Sequence, residues 1–233
     1  MHRAYSKFEI KSLSEGSRTF TGIAAATGLP RSTAHRLIKA LEAHGYLALQ
    51  GEYGYRLGPR LLGLAAAARR DLPLRDLAHP ALERLARATG ESAQLYVRSG
   101  NVRVCIDAVE SERELRTIVP VGASLPLSAG SAAKVFLAWD PQPARHVRRA
   151  THPERFGREV ELARLRGWAS SAGEREAGVG SVSAAVQGAH DTLVAVVSVS
   201  GPVGRFGRAG GRRTLPAVER AAREIEATLD PRV

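Results

Sequence analysis

Polar and basic side chains occupy one face of a helix predicted over residues 31–44. Its apolar residues recur at the i, i+3, i+4, i+7 spacing of a helical stripe; they are Ala34, Leu37, Ile38 and Leu41. The opposite face presents Arg31, Ser32, His35, Arg36 and Lys39. Within this helix, no acidic residue precedes Glu42. Such a face is suited to phosphates and base edges in the major groove of DNA.

The neighbouring segments predict a winged helix-turn-helix around this helix. Thr19 or Thr21 can cap a short helix that ends at Thr27, and Gly28 then turns the chain. A weaker helical pattern covers residues 5–13. Residues 46–49 and 53–57 are β-prone runs that flank a turn with a glycine at Gly51. This order of elements places the second helix for insertion into a groove.

The rest of the chain predicts a linker helix and an α+β domain. Residues 60–70 form a helix that is apolar on several sides, and a proline at position 73 marks a boundary. We therefore expect a DNA-binding domain over residues 1–58, a linker helix over 59–73, and a second domain over 74–233. The last range predicts hairpins over 92–109 and 180–200, a strand over 116–121, and helices over 76–89, 131–139, 159–166 and 215–229. Antiparallel hairpins mixed with helices indicate an α+β fold.

Composition sets limits on the class of protein. The chain has 233 residues, a net charge of +11 and one cysteine, so it can fold without disulfides. Residues 1–64 carry nine basic and four acidic side chains, a balance that favours a polyanionic partner. No run of 18 apolar residues and no signal core occurs, so we expect a cytoplasmic protein that does not cross a membrane.

Catalytic patterns are weak. Ser131-Ala132-Ala133-Lys134 matches the S-x-x-K motif of serine acyl-transferring enzymes, but its partner motifs are missing. The seven histidines show no metal-ligand spacing, and no dinucleotide-binding glycine motif follows a strand and precedes a helix. We expect no enzyme activity, no cofactor and no metal site.

Several motifs resemble those of the IclR family of transcriptional regulators. Residues 27–37, TGLPRSTAHRL, are similar to the family's DNA-binding segment, and residues 55–61, YRLGPRL, to its wing strand and linker start. Gly130 with residues 133–138, AKVFLA, resembles the pocket helix, and residues 166–169 and 198–202 match two further motifs. Nearly the whole chain is covered. Residues 168–182 are most similar to actinomycete members linked to amino-acid metabolism.

The resemblance implies a winged helix-turn-helix followed by a GAF/profilin-like antiparallel sheet that binds a small ligand. Expected DNA contacts are Arg31, Ser32, Thr33, His35, Arg36, Lys39, Tyr55 and Arg56. Expected ligand contacts are Gly130, Ser131, Ser171, Glu174, Ser181, Ser198 and Ser200. Some family members carry Asp where this chain has Ser171 and Cys where it has Ser181, which leaves Glu174 or Glu176 as the possible anionic anchor.

The residues themselves are compatible with such a pocket. Ser198 and Ser200 alternate with valines, so both hydroxyls face one side of a strand. The amides of Gly130 and Ser131 begin a helix, a place that suits a carboxylate. We expect a regulator that binds double-stranded operator DNA and a polar effector, such as an amino acid or organic acid, as a homodimer or homotetramer. The alternatives are a sensor acting through protein partners, with residues 1–58 as a dimerisation surface, and a serine acyl-transferring enzyme.

Overall fold

The structure, a computed structural model, describes residues 18–51, 54–64, 73–206, 211 and 213–229. The chain separates into two compact units, Met1–Leu72 and Pro73–Val233. The helix predicted over residues 5–13 lies outside the described residues, as do Tyr53 and residues 65–70 of the predicted linker helix. Residues 60–64 are helical.

The first unit contains a helix-turn-helix and a small sheet. Its elements are β1 Arg18–Thr19, α1 Phe20–Thr27, α2 Arg31–Ala43, β2 Leu47–Gln50 and β3 Gly54–Leu57. The strands are antiparallel in the order β1-β3-β2. The hydroxyl of Thr19 accepts a hydrogen bond from the Gly22 N–H at 3.2 Å and caps α1. Gly28, at φ +64°, ends α1 in the left-handed region.

The core of this unit joins both helices to the hairpin. It is formed by Ile23, Ile38, Leu47 and Tyr55. The prediction that Leu37 belongs to the buried stripe of α2 is wrong, because its side chain is 48% exposed. Leu37 lies about 100° of helix rotation from Ile38, at the edge of the stripe. The buried strip of α2 is therefore narrower than its apolar pattern suggests.

The second unit is built on one antiparallel sheet of six strands, which confirms the α+β class. The strands are β4 Ser92–Ser99, β5 Val102–Val109, β6 Ser124–Pro126, β7 Trp168–Ala172, β8 Val179–Gln187 and β9 Leu193–Pro202, in the order β6-β5-β4-β9-β8-β7. The prediction of a strand over residues 116–121 is wrong, because these residues do not form a strand. Pro120 has no N–H for a ladder, and Gly122 turns the chain at φ +90°, so pairing with β5 begins only at Ser124.

Helices cover both faces of this sheet. They are α3 Pro73–Thr89, α4 Ser131–Ala138, α5 Ala144–Val147, α6 Pro153–Arg166, α7 Val203–Phe206 and α8 Leu215–Glu226. One core cluster packs α3 and α8 against the sheet face that carries Val197 and Val199, and the other packs α4 and α6 against the face that carries Val196. Helices α3 and α6 begin earlier than predicted, each with a proline at its start, where a missing N–H costs nothing.

Within the described ranges, no helix has the length and apolar character needed to cross a bilayer.

Candidate functional site

The exposed surface of α2 is mainly polar, with the half-exposed Leu37 as its large apolar side chain. Six of the expected DNA contacts are exposed on this helix, namely Arg31, Ser32, Thr33, His35, Arg36 and Lys39. Ala34 and Ile38, which are buried, lie on the opposite face. Pro30 precedes the helix without a capping side chain, and the first turn carries no acidic residue. The first amides of α2 are thus left for an anion, which the helix dipole favours.

Phe20, which sequence reasoning missed, orients two of these side chains. The His35 ring lies against the Phe20 ring edge to face, with 5.9 Å between their centroids. The Arg31 guanidinium carbon is 5.7 Å from the centroid of the same ring. An aromatic residue at the first position of α1 therefore holds a cation and an imidazole at the start of α2.

The charge of Lys39 is partly balanced within the helix. Its Nζ lies 2.9 Å from Glu42 Oε2. The hydrogen bond to Glu42 raises the pKa of Lys39 above its ordinary value. The lysine therefore stays protonated, but it competes less well for a phosphate than Arg36, which forms no ion pair with the described residues.

The two expected wing contacts are placed differently. Arg56 is exposed on β3. Tyr55 is 8% exposed and packs in the core of the first unit. Consecutive strand residues point to opposite faces, so the wing cannot present both side chains to the same partner. We correct the expectation for Tyr55, whose ring supports the wing from inside.

In the second unit, a small polar pocket lies between the sheet and the start of α4. Six of the seven expected ligand contacts line it, namely Gly130, Ser131, Ser171, Ser181, Ser198 and Ser200. Its cavity volume is about 30 Å³, enough for no more than about two water molecules. A ligand of several heavy atoms therefore requires the lining to open.

Serine hydroxyls close this pocket by bonding to one another. Ser131 Oγ lies 2.6 Å from Ser181 Oγ and 2.7 Å from Ser183 Oγ. Ser183 donates to Ser198 Oγ at 2.8 Å, and Ser198 donates to a backbone carbonyl at 3.3 Å. Ser171 extends this series of hydrogen bonds, with its Oγ 2.9 Å from Ser181 Oγ. Hydroxyls both donate and accept, so the network can exchange internal bonds for bonds to a polar ligand.

Two polar residues of this network escaped sequence reasoning. Ser183 is fully buried and lies on the same strand face as Ser181. Side chains alternate between the two faces along a strand, so the sequence of β8 could have predicted that these serines share a face. Gln94, also buried, accepts a hydrogen bond from Ser200 at 3.1 Å. Ser200 is therefore held by the sheet itself.

Glu174 does not line the pocket, which corrects the expectation for this residue, whereas Glu176, the other candidate for an anionic anchor, does line it. The Glu174 Oε2 accepts the Gly130 N–H at 3.1 Å, and its other oxygen contacts Lys134 Nζ. Lys134 is fully buried; its Nζ also contacts Glu159 and donates to the Ser170 carbonyl at 2.8 Å. A carboxylate of the chain thus accepts the amide of the residue that precedes α4.

Burial and the lysine act in opposite directions on Glu159. Burial raises the pKa of Glu159, but the hydrogen bonds and charges of Lys134 and Arg155 together outweigh it, so that the pKa lies below its ordinary value. The carboxylate is therefore ionised at neutral pH, and the cluster is an ion pair network.

Arg103, which sequence reasoning missed, is the buried cation of the pocket. It is 3% exposed, and its Nη1 donates to the Ala129 carbonyl at 3.1 Å and to the Pro126 carbonyl. No carboxylate of the described residues lies within 4.0 Å of its guanidinium. Burial lowers the pKa of Arg103 to about 10, which still leaves it charged at neutral pH. Because side chains alternate along β5, the sequence could have predicted that Arg103 lies on the same strand face as Cys105.

Tyr96 lies beneath this guanidinium. Its ring centroid is 5.7 Å from the Arg103 guanidinium carbon. Burial raises the pKa of Tyr96, so the phenol remains neutral and does not balance the arginine. The ring offers a cation–π contact and no counter-charge.

The S-x-x-K motif does not assemble a nucleophile. Ser131 bonds to Ser181 and Ser183, whereas Lys134 Nζ is held by two carboxylates and a carbonyl. A lysine that must take the serine proton would have to contact that hydroxyl. Within the described part of the chain, no group of three or more His, Cys, Asp or Glu side chains is placed to hold a metal ion.

Comparisons with known families match both units. Residues 66–227 match the bacterial transcriptional regulator IclR C-terminal domain, and residues 10–51 match the IclR helix-turn-helix domain. The glycerol operon regulatory protein of Streptomyces griseus is 30% identical over 217 residues, which cover 88% of this chain and 85% of that protein.

Solved structures show the same fold. A crystal structure of an IclR-family transcriptional regulator from Rhodococcus sp. is 30% identical, with a TM-score of 0.63, and covers 91% of this chain and 85% of that one. An IclR homologue from Microbacterium hydrocarbonoxydans, crystallised with 4-hydroxybenzoate, is 24% identical, with a TM-score of 0.78, and covers 97% and 95% of the two chains.

Proposed function

This chain belongs to the IclR family of DNA-binding transcriptional regulators, and we propose that a small polar effector in the serine-lined pocket changes its affinity for an operator. Residues 1–58 serve in this proposal as the DNA-binding domain, 59–73 as a linker helix and 74–233 as the effector domain. The observation that carries the proposal is the exposed face of α2, where six polar or basic side chains and no acidic one are exposed over the first nine residues, with Leu37 as the single large apolar side chain among them, while Ala34 and Ile38 are buried behind it.

Helix α2 is the recognition helix of the proposal. Its first amides and Arg31 contact phosphates, and the longer side chains in the middle of the helix contact base edges. Arg56, on the wing, contacts the phosphate backbone of the DNA. Lys39, already paired with Glu42, contributes less than Arg36.

The second unit supplies the effector site. The Microbacterium homologue binds 4-hydroxybenzoate, an organic acid with a hydroxyl group. The hydroxyls that line this pocket favour a ligand with several hydrogen-bonding groups, such as an amino acid or another organic acid. The genes controlled would then serve the metabolism of that small molecule.

Three further features complete the proposal. The chain acts as a homodimer or a dimer of dimers, because a two-fold operator requires a two-fold protein. It acts in the cytoplasm, where bacterial operator DNA lies. It binds its effector without transforming it, since Ser131 and Lys134 have separate partners.

The test begins with capture of genomic fragments by the full-length protein, followed by sequencing and an affinity titration of the recovered operator. Arg36→Ala should weaken operator binding by about 1–3 kcal/mol, or roughly 5- to 150-fold, if the side chain contacts a base. His35→Ala, which leaves the net charge unchanged at neutral pH, should relax the preference for operator over random sequence.

Arg87→Ala is the matched control, because it removes one exposed arginine from the second unit. It should leave operator affinity within about twofold of wild type, as expected of a distant surface site. Equal loss in Arg36→Ala and Arg87→Ala would contradict a specific face on α2. Failure of the wild type to enrich any sequence would favour a sensor that acts through protein partners.

A further inference from the structure

We propose that Arg103 is the anion anchor of the effector pocket and that it selects a ligand with one carboxylate. This inference rests on the proposed function, because it concerns the ligand of the same pocket. It depends on a guanidinium that is almost completely buried and that no carboxylate of the described residues accompanies.

The balance of charge around the pocket leaves one positive charge. The charged residues that line the cavity are Arg103, Arg175 and Glu176. Arg175 lies 3.6 Å from Glu176, so these two compensate each other. Among the described residues, carbonyls accept the hydrogen bonds of Arg103, and the neutral Tyr96 ring is its cation–π contact. A buried cation is costly unless an anion accompanies it, and a monoanionic ligand supplies that anion.

The neighbouring carboxylates are already engaged. Glu174 and Glu159 contact Lys134, and Arg155 Nε lies 3.0 Å from Glu159. Two cations and two carboxylates therefore balance beside the pocket. Glu174 also accepts the N–H of Gly130, the residue before α4. The charge of Glu174 attracts Arg103, but this carboxylate is already paired with Lys134, and no carboxylate of the described residues forms an ion pair with Arg103.

The guanidinium lies where ligand contacts converge. A Cβ built on Gly130 would be 3.2 Å from Arg103 Nη2, so this end of the side chain lies beside the residue that precedes α4. Its Nε is buried without a hydrogen-bond partner among the described residues. Adjacent guanidinium N–H groups match the two oxygens of a carboxylate.

The lining defines the rest of the ligand. A carboxylate on Arg103 would lie in the cavity that Ser131, Ser181 and Ser198 also line, so the substituent of the acid can form hydrogen bonds with these hydroxyls. Hydroxy and keto acids offer both the single negative charge and the polar substituent. The small cavity favours short acids and requires the segment with Arg175 and Glu176 to yield for larger ones.

The experiment compares each acid with its neutral amide on the full-length protein. Calorimetric titrations use lactate and lactamide, pyruvate and pyruvamide, and 4-hydroxybenzoate and 4-hydroxybenzamide, with sodium chloride matched. At least one acid should bind the wild type roughly tenfold or more tightly than its amide, as charge-assisted hydrogen bonds are stronger than neutral ones.

Four variants then locate the source of that preference. Arg103→Met should weaken acid binding by roughly 10- to 100-fold and abolish the acid preference. Arg103→Lys should keep part of it, because the charge remains without the planar fork. Arg116→Met, which removes an exposed arginine paired with Glu110, should bind like the wild type. Ser198→Val should weaken acid and amide alike.

Each result decides the proposal. Equal binding of acid and amide by the wild type, an unchanged acid preference in Arg103→Met, or no binding of any acid at about 10 mM would overturn it. If Arg103→Met does not fold, the wild-type pairs and Arg103→Lys give the answer. An effector response that Ser198→Val weakens and Arg103→Met does not would preserve the proposed function while rejecting this anchor. A protein that binds no operator but keeps its acid preference would reject the proposed function while preserving this anchor.

Discussion

Lys134 lies in the middle of α4 with its side chain fully buried. Glu159 and Glu174, from two other parts of the chain, contact its ammonium, and the Phe156 ring centroid is 5.6 Å away. Removing one partner of a buried ion pair leaves an uncompensated charge, which costs more than the pair contributes. The contacts of this lysine therefore fix the position of α4 against the sheet.

We expect Lys134→Met to lower the free energy of unfolding of the second unit by about 3–5 kcal/mol, measured by urea denaturation. Lys39→Met is the control, since the Lys39–Glu42 pair is exposed and should contribute less than about 1 kcal/mol. Similar losses in the two variants would contradict the role given to Lys134.

The same cluster predicts a dependence on pH. The folded-state pKa of Glu159 lies below its ordinary value of 4.5. A depressed pKa contributes stability that is present above the unfolded-state value and lost as the pH falls through the folded-state value. Wild-type stability should therefore decrease below about pH 4.5, and Lys134→Met should decrease less steeply over that window.

At the scale of elements, the segment that follows α2 and the segment that follows the wing approach each other closely at two glycines, Gly45 and Gly58. Gly58 donates its N–H to the Tyr46 carbonyl at 2.8 Å, and Arg60 donates to the Gly45 carbonyl at 3.2 Å. A Cβ on Gly58 would lie 2.1 Å from the Gly45 carbonyl oxygen. Only a residue without a side chain permits this approach, which ties α2 to helical residues 60–64.

We expect Gly58→Ala to destabilise the first unit by about 1–3 kcal/mol, because backbone atoms must move to admit the methyl group. Gly63→Ala is the control: its Cβ would meet nothing within 4 Å, and alanine favours a helix by up to about 1 kcal/mol over glycine. Thermal unfolding of both variants checks this. Equal melting temperatures would mean that the crossing is more open than described.

At the scale of the whole molecule, positive charge should dominate operator affinity. The net charge is +11, and the exposed face of α2 belongs to the more basic end of the chain. If each protomer neutralises about four phosphates, a dimer neutralises about eight, and the logarithm of affinity should fall with the logarithm of salt with a slope of about −7.

Fluorescence anisotropy of the operator over a salt series measures this slope, and sedimentation gives the mass of the protein. A slope shallower than about −2 would show that α2 does not contact phosphates. A monomer that binds the operator with full affinity would contradict the proposed two-fold assembly.

Local pattern in the chain was enough to predict the longer helices and hairpins and which way many side chains point, but not the short elements β6, β7, α5 and α7. The capped helix before Gly28, the polar face of α2 and the shared side of Ser198 and Ser200 all follow from short-range geometry, in which period and turn chemistry act within a few residues. The two-unit α+β organisation also follows, because mixed hairpins and helices have few stable layer arrangements.

Which side chains meet was decided by pairing between distant segments. Ser131 and Ser183 are 52 residues apart in the chain, and Glu174 reaches Gly130 across 44 residues. Alternation places Arg103 on a face, but only the packed neighbours leave it without a carboxylate. The same holds for Tyr55, whose exposure depends on the helices packed over its strand. Burial and charge compensation are sums over all neighbours in space, and a linear pattern contains only the neighbours in sequence.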